Sequence, residues 1–179
     1  MDKIKLHDKT FRICIPNEKI EENIKNVADQ INKDYKDVER PLFLSVLSGS
    51  FMFTASLLKH INFDCEISFI KLSSYCGTSS TGEVRQILGY TKPLKGRNVI
   101  VVEDIVDSGD TMVEMNKILT AGQVKDARIC TLLLKPDAYK KDLKIDYVAL
   151  HIPNDFIVGF GLDYDELGRQ YKDIYVLDD

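Results

Sequence analysis

Between Asn17 and about Tyr35 the apolar residues Ile20, Ile24, Val27, Ala28 and Ile31 recur at intervals of three and four. That spacing predicts an amphipathic helix. The pattern then changes. PLFLSVL (41–47) is apolar without alternation, as expected of a strand covered on both faces. FMFTASLLKH (51–60) reads as a helix, and CEISFIKL (65–72) as a second strand. SSYCGTSSTGE (73–83) is polar and small. It reads as a long loop, either an ordinary surface loop or a lid over a site. RQILGY and RNVIVVED follow as strands. From Thr111, the stripe Met112, Met115, Ile118 and Leu119 predicts a helix, with Gly122 placed to end it. ARICTLLLK (127–135), IDYVALHI (145–152) and FIVGFGL (156–162) read as further strands.

Buried β runs alternating with helices predict an α/β protein with a mainly parallel central sheet flanked by helices. No repeat, low-complexity stretch or linker interrupts residues 1–179, so the chain reads as a single domain. Ligands in such folds bind beyond the carboxyl ends of the strands. Chemistry is therefore sought at Leu47-Ser48-Gly49-Ser50, Glu103-Asp104, Lys135 and Leu162-Asp163.

Composition narrows the field. With 44% hydrophobic and 29% charged residues the chain is globular. A net charge of −4 argues against non-specific binding to nucleic acid or an anionic membrane surface. No apolar run approaches the roughly 20 residues that span a bilayer, and the N-terminus lacks an apolar signal-peptide core. Cys14, Cys65, Cys76 and Cys130 are scattered without a C-x-x-C pair. Reduced thiols in a cytoplasmic protein are expected, with neither a zinc site nor a disulfide framework.

The densest chemistry is in VVEDIVDSGDTM (101–112). Glu103 and Asp104 end a β-branched run, where two unpaired carboxylates would be costly to bury. They call for a cation, hydroxyls or solvent. Next comes Asp107-Ser108-Gly109-Asp110-Thr111. Gly109 permits a left-handed backbone, and Thr111 with Glu114 has capping-box spacing. Amides of such a turn, at a helix N-terminus, suit an anion such as a phosphate monoester. A strand–turn–helix corner with solvated acids is the plain alternative. A metal-only site fits less well, because neither the EF-hand order nor a Walker motif is present. A ligand carrying both a sugar and a phosphate satisfies both halves of the loop.

This motif resembles the phosphoribosyl pyrophosphate (PRPP) motif of type I phosphoribosyltransferases. From about residue 40 to 177 the chain is similar to the hypoxanthine–guanine branch of that family. Leu47-Ser48-Gly49-Ser50 matches the pyrophosphate loop and Ser74-Tyr75 through Thr81-Gly82 the mobile lid. Leu134-Lys135 matches the base-recognition lysine. Phe156 through Tyr164 matches the purine-stacking strand and metal aspartate, and Arg169 a pyrophosphate-binding arginine. The resemblance implies the type I fold, with a small hood formed by the N- and C-terminal segments. It implies transfer of 5-phosphoribose from PRPP to N9 of a 6-oxopurine with release of pyrophosphate, Mg²⁺ as cofactor, and a homodimer or homotetramer.

It also implies roles. Asp107 would be the general base. Glu103 and Asp104 would serve the ribose hydroxyls and metal, with Asp163 as a further metal ligand. Ser108, Gly109, Asp110 and Thr111 would hold the 5′-phosphate. Leu47, Ser48, Gly49 and Arg169 would hold pyrophosphate, with Ser74 and Tyr75 in the lid. Lys135, Phe156 and Ile157 would bind the purine. Taken alone, Lys135 also reads as a lysine snorkelling past a strand end. Phe156 also reads as core, Asp163 as a solvated turn acid and Arg169 as a surface ion pair.

Two departures stand out. Ser48 occupies a position where family members often carry lysine, which leaves pyrophosphate to the backbone amides; a cis peptide between Leu47 and Ser48 is implied there. Asp110 is an acid beside a phosphate, unfavourable unless its side chain turns away or caps the helix. The competing readings are a PRPP-binding regulator, a transferase for xanthine or a pyrimidine, and a non-enzymatic α/β module.

Overall fold

The computed structural model describes residues 2–74, 84–89 and 93–178. Among the described residues the chain opens with a hairpin, β1 (Lys3–Leu6) and β2 (Lys9–Ile15), followed by α1 (Asn17–Tyr35). Then come β3 (Leu42–Leu47), α2 (Phe51–Leu58), β4 (Glu66–Ser74), β5 (Val84–Leu88) and β6 (Asn98–Val106). Next are α3 (Asp110–Ala121), β7 (Asp126–Leu134), β8 (Tyr147–His151), β9 (Ile157–Val158) and β10 (Ile174–Leu177).

The main sheet has the order β5-β4-β3-β6-β7-β8. Pairing is parallel from β4 through β8, and β5 is an antiparallel edge. Period-two alternation sends side chains to opposite faces. Phe43, Ile100 and Val102 meet Ile20, Ile24, Val27 and Ile31 of α1 and Phe53 and Leu57 of α2. Leu42, Leu44, Val46, Val99 and Val101 meet Met112, Met115 and Leu119 of α3. Both faces are therefore dry, which explains the unbroken apolar runs; each fully buried aliphatic side chain contributes about 1.5–3 kcal/mol.

The hood is a separate antiparallel sheet, order β1-β2-β10-β9, built from both ends of the chain. Its core is Ile4, Leu6, Phe11, Val158 and Tyr175. Asn17 N–H donates to Asp173 Oδ1 at 2.8 Å and ties the start of α1 to this sheet.

Two strand expectations need correction. RNVIVVED does not stop at Asp104, because parallel pairing with β7 continues through Ile105 and Val106. FIVGFGL is a strand only at Ile157–Val158. Gly159, Phe160 and Gly161 all adopt positive φ and turn the chain back on itself. That turn is pinned by Gly159 N–H to Leu162 O and Leu162 N–H to Gly159 O, both 3.0 Å.

A polar clasp fixes the end of β3. Buried Ser45 shares hydrogen bonds with Ser50 Oγ (2.7 Å) and Thr54 Oγ1 (2.8 Å), and Ser50 Oγ donates to Val46 O. The loop between β3 and α2 is thereby held at both ends. Ser45→Ala is expected to cost about 1–3 kcal/mol, the usual penalty for orphaning buried polar groups. An unchanged thermal midpoint would refute the clasp.

Candidate active site

Three backbone segments converge at the carboxyl ends of β3 and β6. The Leu47–Ser48 peptide is cis, as the resemblance implied. A Cβ on Gly49 would overlap the Asp104 carboxylate, and a Cβ on Gly161 would overlap the Gly49 carbonyl. Only glycine lets these segments approach so closely. Between them lies a cavity of about 420 Å³ lined by Leu47, Ser48, Gly49, Glu103, Asp104, Asp110, Thr111, Asp163 and Arg169. The sequence-predicted pyrophosphate, ribose and metal residues thus share one wall system.

Glu103 and Asp104 lie inside β6, not at its solvent end, and are only 7% and 9% exposed. Burial pushes the Glu103 carboxyl well above its ordinary range, and the neighbouring Asp104 charge adds to it. Its Oε2 is buried with no hydrogen-bond partner. Asp104 is raised too, by burial first, offset in part by a side-chain hydrogen bond with Glu103, then by the Ile105 amide and the Arg169 charge. Ile105 N–H donates to Asp104 Oδ1 at 2.9 Å. An orphaned oxygen beside a second buried carboxylate fits a hard divalent cation. Among the described residues, no three His, Cys, Asp or Glu side chains gather as a complete metal cage. Such an ion would complete its shell with water and substrate oxygens, the habit of Mg²⁺.

Asp163 lines the same cavity and is paired there with Arg169. Arg169 Nη2 pairs with Asp163 Oδ1 at 2.8 Å, and Nη1 donates to Gly161 O at 2.9 Å. Glu166 N–H donates to Asp163 Oδ2 at 2.9 Å. Arginine and aspartate therefore lie together at the cavity edge, held to the turn that contacts Gly49.

The Asp107–Thr111 turn lines a second cavity, about 240 Å³, which it shares with Glu103 and Asp104. Gly109 is the N-cap of α3 with φ +85°, so the turn needs its left-handed freedom. The capping box does not form: α3 has no side-chain cap, and Glu114 pairs with Lys117 at 2.6 Å. Asp110 N–H donates to Ser108 Oγ at 3.4 Å, and the amides that follow it in the first turn are left for another acceptor. Asp107 Oδ2 accepts from Lys135 Nζ at 2.8 Å. Lys135 is buried at 8% exposure and does not snorkel. Asp110 turns to Lys141 Nζ at 2.7 Å and accepts from Ser108 Oγ at 2.8 Å. Lys141 first, then Ser108, hold its carboxyl below the usual range.

On the hood side, Phe156 is 45% exposed and is not core. Its ring lies 6.0 Å from Phe11 and 5.6 Å, edge-on, from Tyr164. Ile157 begins β9 directly beside it. Ser74 ends β4, whereas Tyr75 and the lid residues 75–83 lie outside the described residues.

This arrangement has known counterparts. The family model described as a phosphoribosyl transferase domain matches residues 16–165. The chain belongs to the phosphoribosyltransferase family. It is 42% identical over 154 residues to a hypoxanthine-guanine phosphoribosyltransferase of Streptococcus pyogenes, covering 86% of this chain and 85% of that protein. Identity to the Mycobacterium tuberculosis enzyme of the same name is 38% over 172 residues, covering 93% and 85%. A crystal structure of a hypoxanthine phosphoribosyltransferase from Staphylococcus aureus superposes with TM-score 0.87 at 36% identity, covering 93% of this chain and 91% of that one.

Against the phosphoribosyltransferase pattern, two residues that touch the site went unread in the sequence. Lys141 sits in a lysine-rich loop, KKDLK, with no periodicity to single it out. Tyr164 was quoted only as the end of a strand, yet it packs edge-on against Phe156.

Proposed function

We propose that the chain transfers 5-phosphoribose from PRPP to N9 of hypoxanthine or guanine, forming IMP or GMP and pyrophosphate. One observation carries the reading: Lys135 and Asp107, 28 residues apart in sequence, meet at 2.8 Å beside the phosphate turn. A cation for the purine O6 and a base for its N7 proton are thereby set at one spot. Phe156 supplies a stacking face, and the backbone at Ile157 reads the purine edge.

N9 attacks C1′ of PRPP as the bond from C1′ to the pyrophosphate oxygen breaks. Asp107 takes the N7 proton, which demands hydrogen-bond reach of that nitrogen. Glu103 and Asp104 accept from the ribose hydroxyls, and the Ser108–Thr111 turn binds the 5′-phosphate. Amides of Ser48 and Gly49, with Arg169, receive the leaving pyrophosphate. Glu103 and Asp104, with Asp163 nearby, would hold a Mg²⁺ ion, which would supply neutralisation of departing charge. Ser74 and Tyr75 belong to the segment that would close over the site and exclude water. We place the reaction in the cytoplasm, where the free thiols of Cys14, Cys65 and Cys130 stay reduced, and expect a homodimer or homotetramer.

Steady-state assays with PRPP, Mg²⁺ and each of hypoxanthine, guanine and xanthine test the reading. Nucleotide formation with hypoxanthine or guanine is expected. No product from any 6-oxopurine would overturn it.

A further inference from the structure

The cavity lined by residues 103–112 presents Glu103, Asp104, Asp107 and Asp110, and no lysine or arginine among its described lining. The orphaned Oε2 of Glu103 belongs to the same wall. A phosphate dianion entering such a field needs a cation close by. Two ion pairs bring lysines to this turn, both from the stretch that follows β7: Lys135 to Asp107 and Lys141 to Asp110. Lys135 is buried against the general base. Lys141 is the outer of the two.

We propose that Lys141 is the cation of the 5′-phosphate subsite, and that Asp110 is a carboxylate place-holder which binds the donors a phosphate would bind. This rests on the function proposed above. Asp110 accepts from Lys141 Nζ through Oδ1 and from Ser108 Oγ through Oδ2. A phosphate in the turn takes over both donors and adds the amides at the start of α3, of which Asp110 N–H now donates to Ser108 Oγ at 3.4 Å. Lys141 is delivered by a built loop. Ala138 and Tyr139 N–H donate to Lys135 O (3.2 and 3.0 Å), and Tyr139 OH donates to Leu143 O. Tyr139 and Leu143 pack on the α3 face of the core. The Tyr139 ring and the Lys141 stem lie so close to Gly109 that a Cβ there would collide with both. The acid that a phosphate site would not ask for is thereby explained: it occupies the lysine and the Ser108 hydroxyl until a phosphate displaces it.

The discriminating feature is sign. Lys141→Ala is expected to raise KM for PRPP about tenfold, the worth of one charge-assisted contact, with kcat changed less than about threefold. Lys141→Arg is expected to restore most of it. Asp110→Asn is expected to lower KM by about two- to fivefold, because an exposed pair is weak and its loss frees both donors. A purely structural ion pair would instead make both variants worse. Inhibition by IMP is expected to weaken in Lys141→Ala while inhibition by inosine, which lacks the phosphate, does not. An unchanged KM in Lys141→Ala, a raised KM in both variants, or equal weakening by inosine would overturn the proposal. Calorimetric titration with ribose 5-phosphate separates the two readings. Weaker binding to Lys141→Ala supports the lysine even if no purine turns over, and equal binding sinks it even if the enzyme is active.

Discussion

Asp107→Asn is expected to lower kcat by about 10²- to 10⁴-fold, the usual worth of a positioned general base. Asparagine keeps the size and an oxygen for Lys135 to donate to, so the 2.8 Å contact can persist in neutral form. What is lost is the ability to accept the N7 proton. KM for PRPP is therefore expected to stay within a few-fold, placing the loss in the transition state rather than in binding. Lys135→Ala probes the other half of the pair. It removes the O6 donor and leaves Asp107 without its partner, so KM for the purine is expected to rise. Because the two side chains touch, the double variant is expected to fall short of the sum of the single effects. Steady-state kinetics on the four proteins reads all of this. Wild-type kcat in Asp107→Asn would remove Asp107 from the proton transfer while leaving the transferase itself standing.

How far the sequence could be read follows from which side chains face dry surfaces. The central strands were legible because Leu42–Val46 and Val99–Val102 are buried on both faces, leaving apolar runs with no alternation to misread. Helix α3 was legible from its stripe and from Gly122, which does close it. The hood was expected from the resemblance alone. Phe11, Ile13 and Ile15 do recur at every second position, but β9 has two residues and β10 four, too few for periodicity to register. Phe156–Leu162 looked like a strand because hydropathy is blind to backbone sign; positive φ at Gly159, Phe160 and Gly161 makes it a turn. The acid-rich loop was legible as a list of residues, not as a set of partners. Asp107 with Lys135 and Asp110 with Lys141 are joined across separate elements, and no local spacing encodes them. The capping-box spacing of Thr111 and Glu114 was a local signal that the left-handed Gly109 overrode.

Glu103→Gln should separate stability from activity in opposite directions. Glu103 is 7% exposed, its Oε2 has no partner, and burial holds its carboxyl well above the ordinary 4.5. Its charge is therefore a cost to the fold that neutral glutamine avoids. At neutral pH the variant is expected to be more stable by about 1–3 kcal/mol, a rise in Tm of about 2–4 °C per kcal/mol for a chain of this size. The sign with pH follows from proton counts. With the folded pKa raised, the folded state holds more protons than the unfolded one as pH climbs above 4.5, so wild-type stability falls relative to the variant across that window. Below the unfolded value both states carry a neutral Glu103, and the gap between the two proteins is expected to close. The slope in between is at most about 1.4 kcal/mol per pH unit for one proton. Activity should move the other way. Glutamine cannot offer a second negative oxygen to a divalent cation, so kcat/KM for PRPP is expected to drop by about 10²-fold. Saturating PRPP with Mg²⁺ is expected to raise the wild-type Tm more than that of the variant, because a ligand stabilises most the protein that binds it best. Melts from pH 4 to 8 with and without ligand test both halves. Equal stability at neutral pH would show that the buried oxygen has a partner, and a stabilised variant with full activity would take Glu103 out of the ribose and metal site.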